Sequence, residues 1–207
     1  MKRTSDRAIV KRINAALKCF MEDDSEEAVY NIAPALDVTA KRRYPGKGVG
    51  GRIKAFVFDE QPLIYYLSTQ GKLNIPVGVR IVMVESGDIT KPVGGKSGEL
   101  SDFIYHNVRC AQSHDAEIDD SFVDFGRNFG IGRSIFDGGE LTPGKFIISK
   151  ATVLAIIFSV ICAPENKNIK LSGSISLFGK VSLEFRELVG NKDYLMENLR
   201  KLFDAAL

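Results

Sequence analysis

Apolar residues recur every three or four positions along the first third of the chain, a period that marks helices with one buried side. Ile9, Ile13, Ala16, Leu17 and Phe20 fall on one side, with Lys and Arg between them, so residues 5–21 are predicted as an amphipathic helix. The acidic run Glu22-Asp-Asp-Ser-Glu-Glu27 closes it, and these charges suit the positive end of a following helix dipole. That second helix is predicted over 26–44 and carries Val29, Ile32, Ala33, Leu36 and Ala40, with a kink expected at Pro34. Tyr44-Pro-Gly-Lys-Gly-Val-Gly-Gly51 reads as a loop, and 52–70 as a third helix interrupted near Pro62.

The pattern then changes. Val77-Gly-Val-Arg-Ile-Val-Met-Val84 is rich in β-branched residues between Pro76 and Gly87 and predicts a strand, followed by a long loop from Glu85 to Gly98. Ser101 is the expected N-cap of a helix bearing Phe103, Ile104, Val108 and Ala111. Short runs around Gly126, Gly130, Gly132 and Gly138-Gly139 predict a small antiparallel β insertion at about 120–148. Residues 149–163 are the expected central core helix. Its apolar stretch, Val153 to Ala163, is about half the length a bilayer requires, so no membrane association is expected. Residues 169–189 are open between strand and helix, and 192–206 predict a terminal helix with Tyr194, Leu195, Leu199, Leu202 and Phe203 on one side.

These elements amount to a mainly α protein, expected as one domain over 1–207 with a C-terminal extension at about 165–207. A chain of 207 residues buries roughly 70% of its unfolded surface in a single core, so it needs no staples. The net charge is +2, so contact with nucleic acid must come from a local basic patch. Cys19, Cys110 and Cys162 are far apart and odd in number, which fits reduced thiols in a cytoplasm and not a disulfide framework. The basic N-terminus lacks the apolar stretch of a secretion signal.

Several constellations fail on spacing. Gly95-Lys-Ser97 ends like a phosphate loop, but Thr90 stands where that loop needs glycine. Gly46 to Gly51 follows a helix instead of a strand, which is the wrong context for a dinucleotide fingerprint. His106, Cys110 and His114 lie at four-residue steps, yet three ligands do not converge on one ion without bending a helix. No metal or cofactor is expected.

The segment Tyr105-His-Asn-Val-Arg109-Cys-Ala-Gln-Ser-His114-Asp holds both histidines of the chain. Five helical steps set Arg109 and His114 about 140° apart, so they converge toward a groove, a kink or a second subunit. Imidazole exchanges protons near neutral pH, and a guanidinium grips phosphate through two parallel hydrogen bonds. Those are the parts needed to cleave RNA without a metal. The bland alternatives stay open: a salt-bridging Arg109, and a His114 that stabilises a helix C-terminus beside Asp115.

This Arg, four residues, His motif resembles the HEPN superfamily of ribonucleases and toxin-like proteins, and Ile32 to Tyr44 is similar to bacterial proteins associated with it. Cys110 stands where that family often has a polar residue. The resemblance implies a helical bundle that homodimerises, bringing two Arg/His pairs to a shared cleft for metal-independent RNA cleavage. It also implies roles in phage defence or toxin–antitoxin systems, with an antitoxin or defence-complex partner.

Around Arg109 and His114 the weaker candidates are Asp37, in the catalytic set, and Lys41, Arg42, Arg43 and Asn107 as RNA contacts. Asp37 sits between Leu36 and Val38, where a buried carboxylate needs a partner: Arg109, or more simply Lys41 one turn on. Lys41-Arg42-Arg43 precedes Tyr44 and the Gly/Lys loop, a pattern that fits a phosphate backbone with an aromatic for base stacking, or a solvated face. The expected function is a HEPN-type endoribonuclease; the alternative is a non-catalytic dimerisation or RNA-binding module of the same fold.

Overall fold

A computed structural model of the chain describes residues 2–76, 78–79, 84–85, 88–92, 99–105, 123–126 and 146–204. Helix α1 (Lys2–Met21) buries Ile9, Ile13, Ala16, Leu17 and Phe20, the five residues its period singles out. It turns through Asp23, whose φ of 66° is left-handed, into α2 (Ser25–Arg43). Asp24 caps α2 by accepting the Glu27 N–H at 3.0 Å, and Glu26 and Glu27 occupy the first turn, where negative charge is favoured. The acidic run therefore ends one helix and starts the next. So short a turn makes α1 and α2 antiparallel neighbours.

Helix α3 (Val49–Ser68) follows a tight connection through Gly48. Gly50 sits against the Tyr105 ring: a Cβ there would lie 2.9 Å from Tyr105 Cζ, so a larger residue would have to push the ring aside. Both α2 and α3 run through their internal prolines, Pro34 and Pro62, without the break expected at Pro62. Proline removes one ladder bond, but most of α3 around Pro62 is buried, and tertiary burial outweighs local propensity.

Two short antiparallel strands, β1 (Val84–Glu85) and β2 (Asp88–Pro92), fall partly where a long loop was expected, and Val79 lies outside any strand. In helix α4 (Leu100–Phe103) the N-cap position belongs to Glu99, which makes no side-chain cap bond; Ser101 lies inside the first turn and donates to Glu99 Oε2 at 3.2 Å. Within the predicted insertion, β3 (Val123–Gly126) and β4 (Phe146–Ser149) pair in parallel, in register Val123 with Phe146. The glycine pattern had suggested a hairpin. The long separation of these strands in sequence instead permits the crossover that parallel pairing needs.

The core helix α5 (Lys150–Ile161) buries every residue from Ala151 to Ile161, as its all-round apolar sequence requires. Ser149 caps it, and the Ser149, Thr152 and Ser68 hydroxyls form a chain at 2.9 and 3.0 Å that joins its start to the end of α3. After a 3₁₀ turn (Pro164–Asn166), the open segment 169–189 proves to be an antiparallel hairpin, β5 (Ser174–Leu177) and β6 (Val181–Glu184), followed by α6 (Phe185–Leu188). Ile175, Leu177 and Leu183 point inward from it. Helix α7 (Lys192–Asp204) closes the bundle through Leu195, Leu199, Leu202 and Phe203. The hairpin and α7 join the same hydrophobic core as α1, α2, α3 and α5. The protein is mainly α with small two-stranded sheets, two antiparallel and one parallel among the described residues, where no helix is long and apolar enough to cross a membrane.

Candidate functional site

The C-terminal end of α2 presents two partly buried arginines, and three other elements, α1, α3 and the 3₁₀ turn, converge on them. Arg43 forks onto Glu165 of the 3₁₀ turn, Nε to Oε1 at 2.9 Å and Nη2 to Oε2 at 3.0 Å. Its Nη1 donates to Glu60 Oε1 of α3 at 2.8 Å and reaches Asp59 at 3.4 Å, while its guanidinium lies 4.5 Å from the centre of the Phe56 ring. Glu60 is fully buried; its second oxygen meets Lys192 Nζ, at the start of α7, at 2.5 Å. Tyr44 donates its hydroxyl to Asp59.

Arg42 points to the other side of the same turn. It donates to Ser5 Oγ at 2.8 Å, Asp6 at 2.5 Å, Asn166 Oδ1 at 2.9 Å and the Glu165 carbonyl at 3.3 Å. Asn166, also fully buried, gives its amide hydrogens to Thr39 Oγ1 at 2.9 Å and the Val160 carbonyl at 2.7 Å. Its side-chain oxygen accepts from Arg42, so every strong hydrogen-bonding atom of that side chain is used.

Electrostatics follow from this geometry. Burial pushes the Glu165 carboxyl up, but the Arg43 hydrogen bonds and charge, with Lys192, hold it below the ordinary carboxylate value. Arg43 is opposed by burial and yet held more firmly charged by Glu165 and Glu60. Burial and the neighbouring Asp59 push Tyr44 up to about 12, so it stays a neutral donor. Cys162 is buried and raised by desolvation, an inert thiol and not a nucleophile.

These contacts redraw the candidate list. Arg42 and Arg43, expected as RNA contacts, are held by internal partners: Asp6, Glu60 and Glu165 arrive from other parts of the chain. Lys41 alone of the three is exposed. Asp37 is gripped by Arg52, Nε to Oδ1 at 2.8 Å and Nη2 to Oδ2 at 3.0 Å, in place of the expected i, i+4 pair with Lys41. Arg109, His114, Asn107, His106 and Cys110 lie outside the described residues. Among the described residues no group of three or more His, Cys, Asp or Glu is placed to hold a metal ion.

Sequence reasoning missed Glu60, Arg52, Glu165 and Asn166. Glu60 and Gln61 were visible as charged and amide residues at positions whose helical period requires apolar ones. Gln61 and Tyr65 are the unexplained pair: 1% and 7% exposed, one turn apart on α3, with neither the Gln61 amide nor the Tyr65 hydroxyl finding a hydrogen-bond partner. Burial pushes Tyr65 up to about 12.

The family to which these residues belong is given by a match that runs over residues 8–202, from α1 to α7. The chain belongs to the Rv1289 family. The uncharacterized protein Rv1289 of Mycobacterium tuberculosis is 27% identical over 147 residues, covering 68% of this chain and 62% of its own length. Uncharacterized protein Mb1320 of Mycobacterium bovis matches this Rv1289-family chain to the same extent. The match thus spans less than two thirds of these relatives' length. No solved structure matches the chain.

Proposed function

We propose that this Rv1289-family protein is a metal-independent endoribonuclease in which Arg109 and His114 do the chemistry, working as a cytoplasmic homodimer. The observation that carries the reading is the pair itself: an arginine and, five positions on, a histidine, in the short segment that holds both histidines of a mainly helical chain. His114 takes the proton of a ribose 2′-hydroxyl as its oxygen bonds to the adjacent phosphorus. The bond from phosphorus to the 5′ oxygen breaks, and that oxygen leaves with a proton returned by an imidazolium. Arg109 neutralises the charge that builds on the non-bridging oxygens. The products are a 2′,3′-cyclic phosphate and a 5′-hydroxyl, with no redox step. A defence or toxin–antitoxin setting, with a restraining partner protein, belongs to the same proposal.

Asp37 takes no direct part in this chemistry. Its carboxylate already receives both hydrogen bonds of the Arg52 fork, which suits a residue that fixes α2 against α3. The test is cleavage of total cellular RNA in EDTA by the wild type, Arg109→Ala and His114→Ala, with product ends identified. Cleavage by the wild type alone, leaving cyclic phosphates, is the expected result; metal-dependent cleavage, or equal activity in all three, removes the proposal.

A second reading, a non-catalytic dimerisation or RNA-binding module, draws on a separate observation. Two of the three basic residues at the end of α2 are spent on the fold, and Cys110 occupies the motif position where a polar residue is frequent. Intact RNA with a stable dimer would favour it.

A further inference from the structure

The exposed side of α1 is the strongest uncompensated charge on the described surface. Its twenty residues hold six Lys or Arg and one acid, in a chain whose net charge is only +2. That one acid, Asp6, is taken by Arg42 at 2.5 Å. Arg7, Lys11, Asn14 and Lys18 are all exposed and recur at helical spacing, so they form one stripe, with Arg12 exposed beside it. Neither Arg7 nor Lys11 has a partner among the described residues. Lys18 only grazes Glu22 at 3.9 Å, and Arg12 leans on the neutral Asn31 at 3.4 Å.

Like charges one turn apart destabilise a helix, so a stripe of this kind is held against its own repulsion. Helix α7 shows what an ordinary solvated face looks like in the same protein: the exposed Asp193, Glu197, Arg200, Lys201 and Asp204 mix both signs, and Lys201 pairs with Glu197 at 2.6 Å. Cations four residues apart are spaced by roughly 6 Å along the axis, on the scale of successive phosphates in a single strand. Arginine and lysine meet phosphate without reading sequence, and the exposed Asn14 amide adds a donor between them.

We infer that this stripe of α1 is where the protein holds the phosphate backbone of single-stranded RNA. The inference rests on the ribonuclease reading for the identity of the polyanion, and it moves the contact surface from Arg42 and Arg43 to Arg7, Lys11 and Lys18. Those three positions are solvent-facing and alanine is the best helix former, so a triple alanine variant keeps the fold.

The experiment measures binding of a fluorescent mixed-sequence single-stranded RNA over a salt series, alongside cleavage and oligomeric state. The proteins are the wild type, Arg7→Ala/Lys11→Ala/Lys18→Ala, Lys201→Ala, and Arg109→Ala/His114→Ala, with circular dichroism confirming each fold. The triple variant is expected to bind at least about tenfold more weakly and to lower the salt slope by about two units, near 0.7 per lost phosphate contact. Lys201→Ala, on the opposite-sign surface of α7, is expected to bind as the wild type does, and the Arg109/His114 variant to lose cleavage. If the same α1-dependent binding is found with no cleavage, the interface stands and the ribonuclease reading falls. Unchanged RNA affinity in the triple variant, or a wild type that binds no RNA, overturns the inference while leaving the cleavage assay to judge the reading it rests on. Loss of dimer with RNA affinity intact also overturns it, by assigning the stripe to a second copy of the chain.

Discussion

Basic residues occur in pairs of opposite fate in this protein. Arg42 and Arg43 stand in the densest basic run of the sequence and end up partly buried, each tied to several partners; Arg7 and Lys11 stand in an unremarkable run and end up bare. The difference lies in what the rest of the chain brings to them. Carboxylates from α1, α3 and the 3₁₀ turn reach the end of α2, whereas among the described residues only Glu22, 3.9 Å from Lys18, approaches the outer stripe of α1. A run of basic residues therefore locates charge but does not say whether that charge is spent.

The sharpest way to break this contrast is Arg43→Ala. It leaves fully buried Glu60 with only Lys192, and removing one partner of a buried ion pair costs about 3–5 kcal/mol. Urea unfolding should show that loss, whereas Arg7→Ala should stay within about 0.5 kcal/mol of the wild type. Equal effects at the two positions would mean that the contrast is false. Asn166→Ala comes next, since it takes one partner each from Arg42, Thr39 and the Val160 carbonyl; a loss of about 2–3 kcal/mol is expected from the same measurement.

Acid probes the same cluster by titration. Glu165 has its folded value below its unfolded one, so its contribution is fully present above the ordinary carboxylate range and disappears as pH falls through the lowered folded value. Thermal melts should drop in that window for the wild type, and the part due to this residue should be missing in Glu165→Gln, which starts lower.

Tyr65→Phe is the mildest change and has the opposite sign. Deleting a buried hydroxyl with no partner should be neutral or stabilise by up to about 1 kcal/mol. Tyr65 is held up to about 12 in the fold, above its unfolded value, so its neutral form supports folding at neutral pH and that support is lost as pH rises through the folded value. The phenylalanine variant should therefore lose less stability in alkali. A destabilised Tyr65→Phe would show that the hydroxyl has a partner in solution.

How much of this was legible in sequence depends on distance along the chain. Helices α1, α2 and α5 were readable because Ile9 to Phe20, Val29 to Ala40 and Val153 to Ala163 repeat a local period, and the Asp24 cap sits inside a local acidic run. The strands were harder. β3 and β4 pair in parallel across a long insertion, and glycines within it mimic hairpin turns. The hairpin of β5 and β6 carries Phe178 and Gly179 at φ of 53° and 66°, and a left-handed phenylalanine gives no turn signal in sequence. The ion-pair partners were least legible: charge offers no periodicity, and Glu165 lies 122 residues from the Arg43 it neutralises.

That last separation bears on how the molecule is made. As the chain leaves the ribosome, α1 and α2 emerge first, with both α2 arginines uncovered and Asp6 alone at hand. Nothing completes their coordination until Pro164, Glu165 and Asn166 appear, and closing so long a loop is a slow, late event in folding. The short turn after α5 acts as the clasp of the bundle: a chain halted before it holds most helices of the core, with Arg42 and Arg43 tied only to α1 and α3.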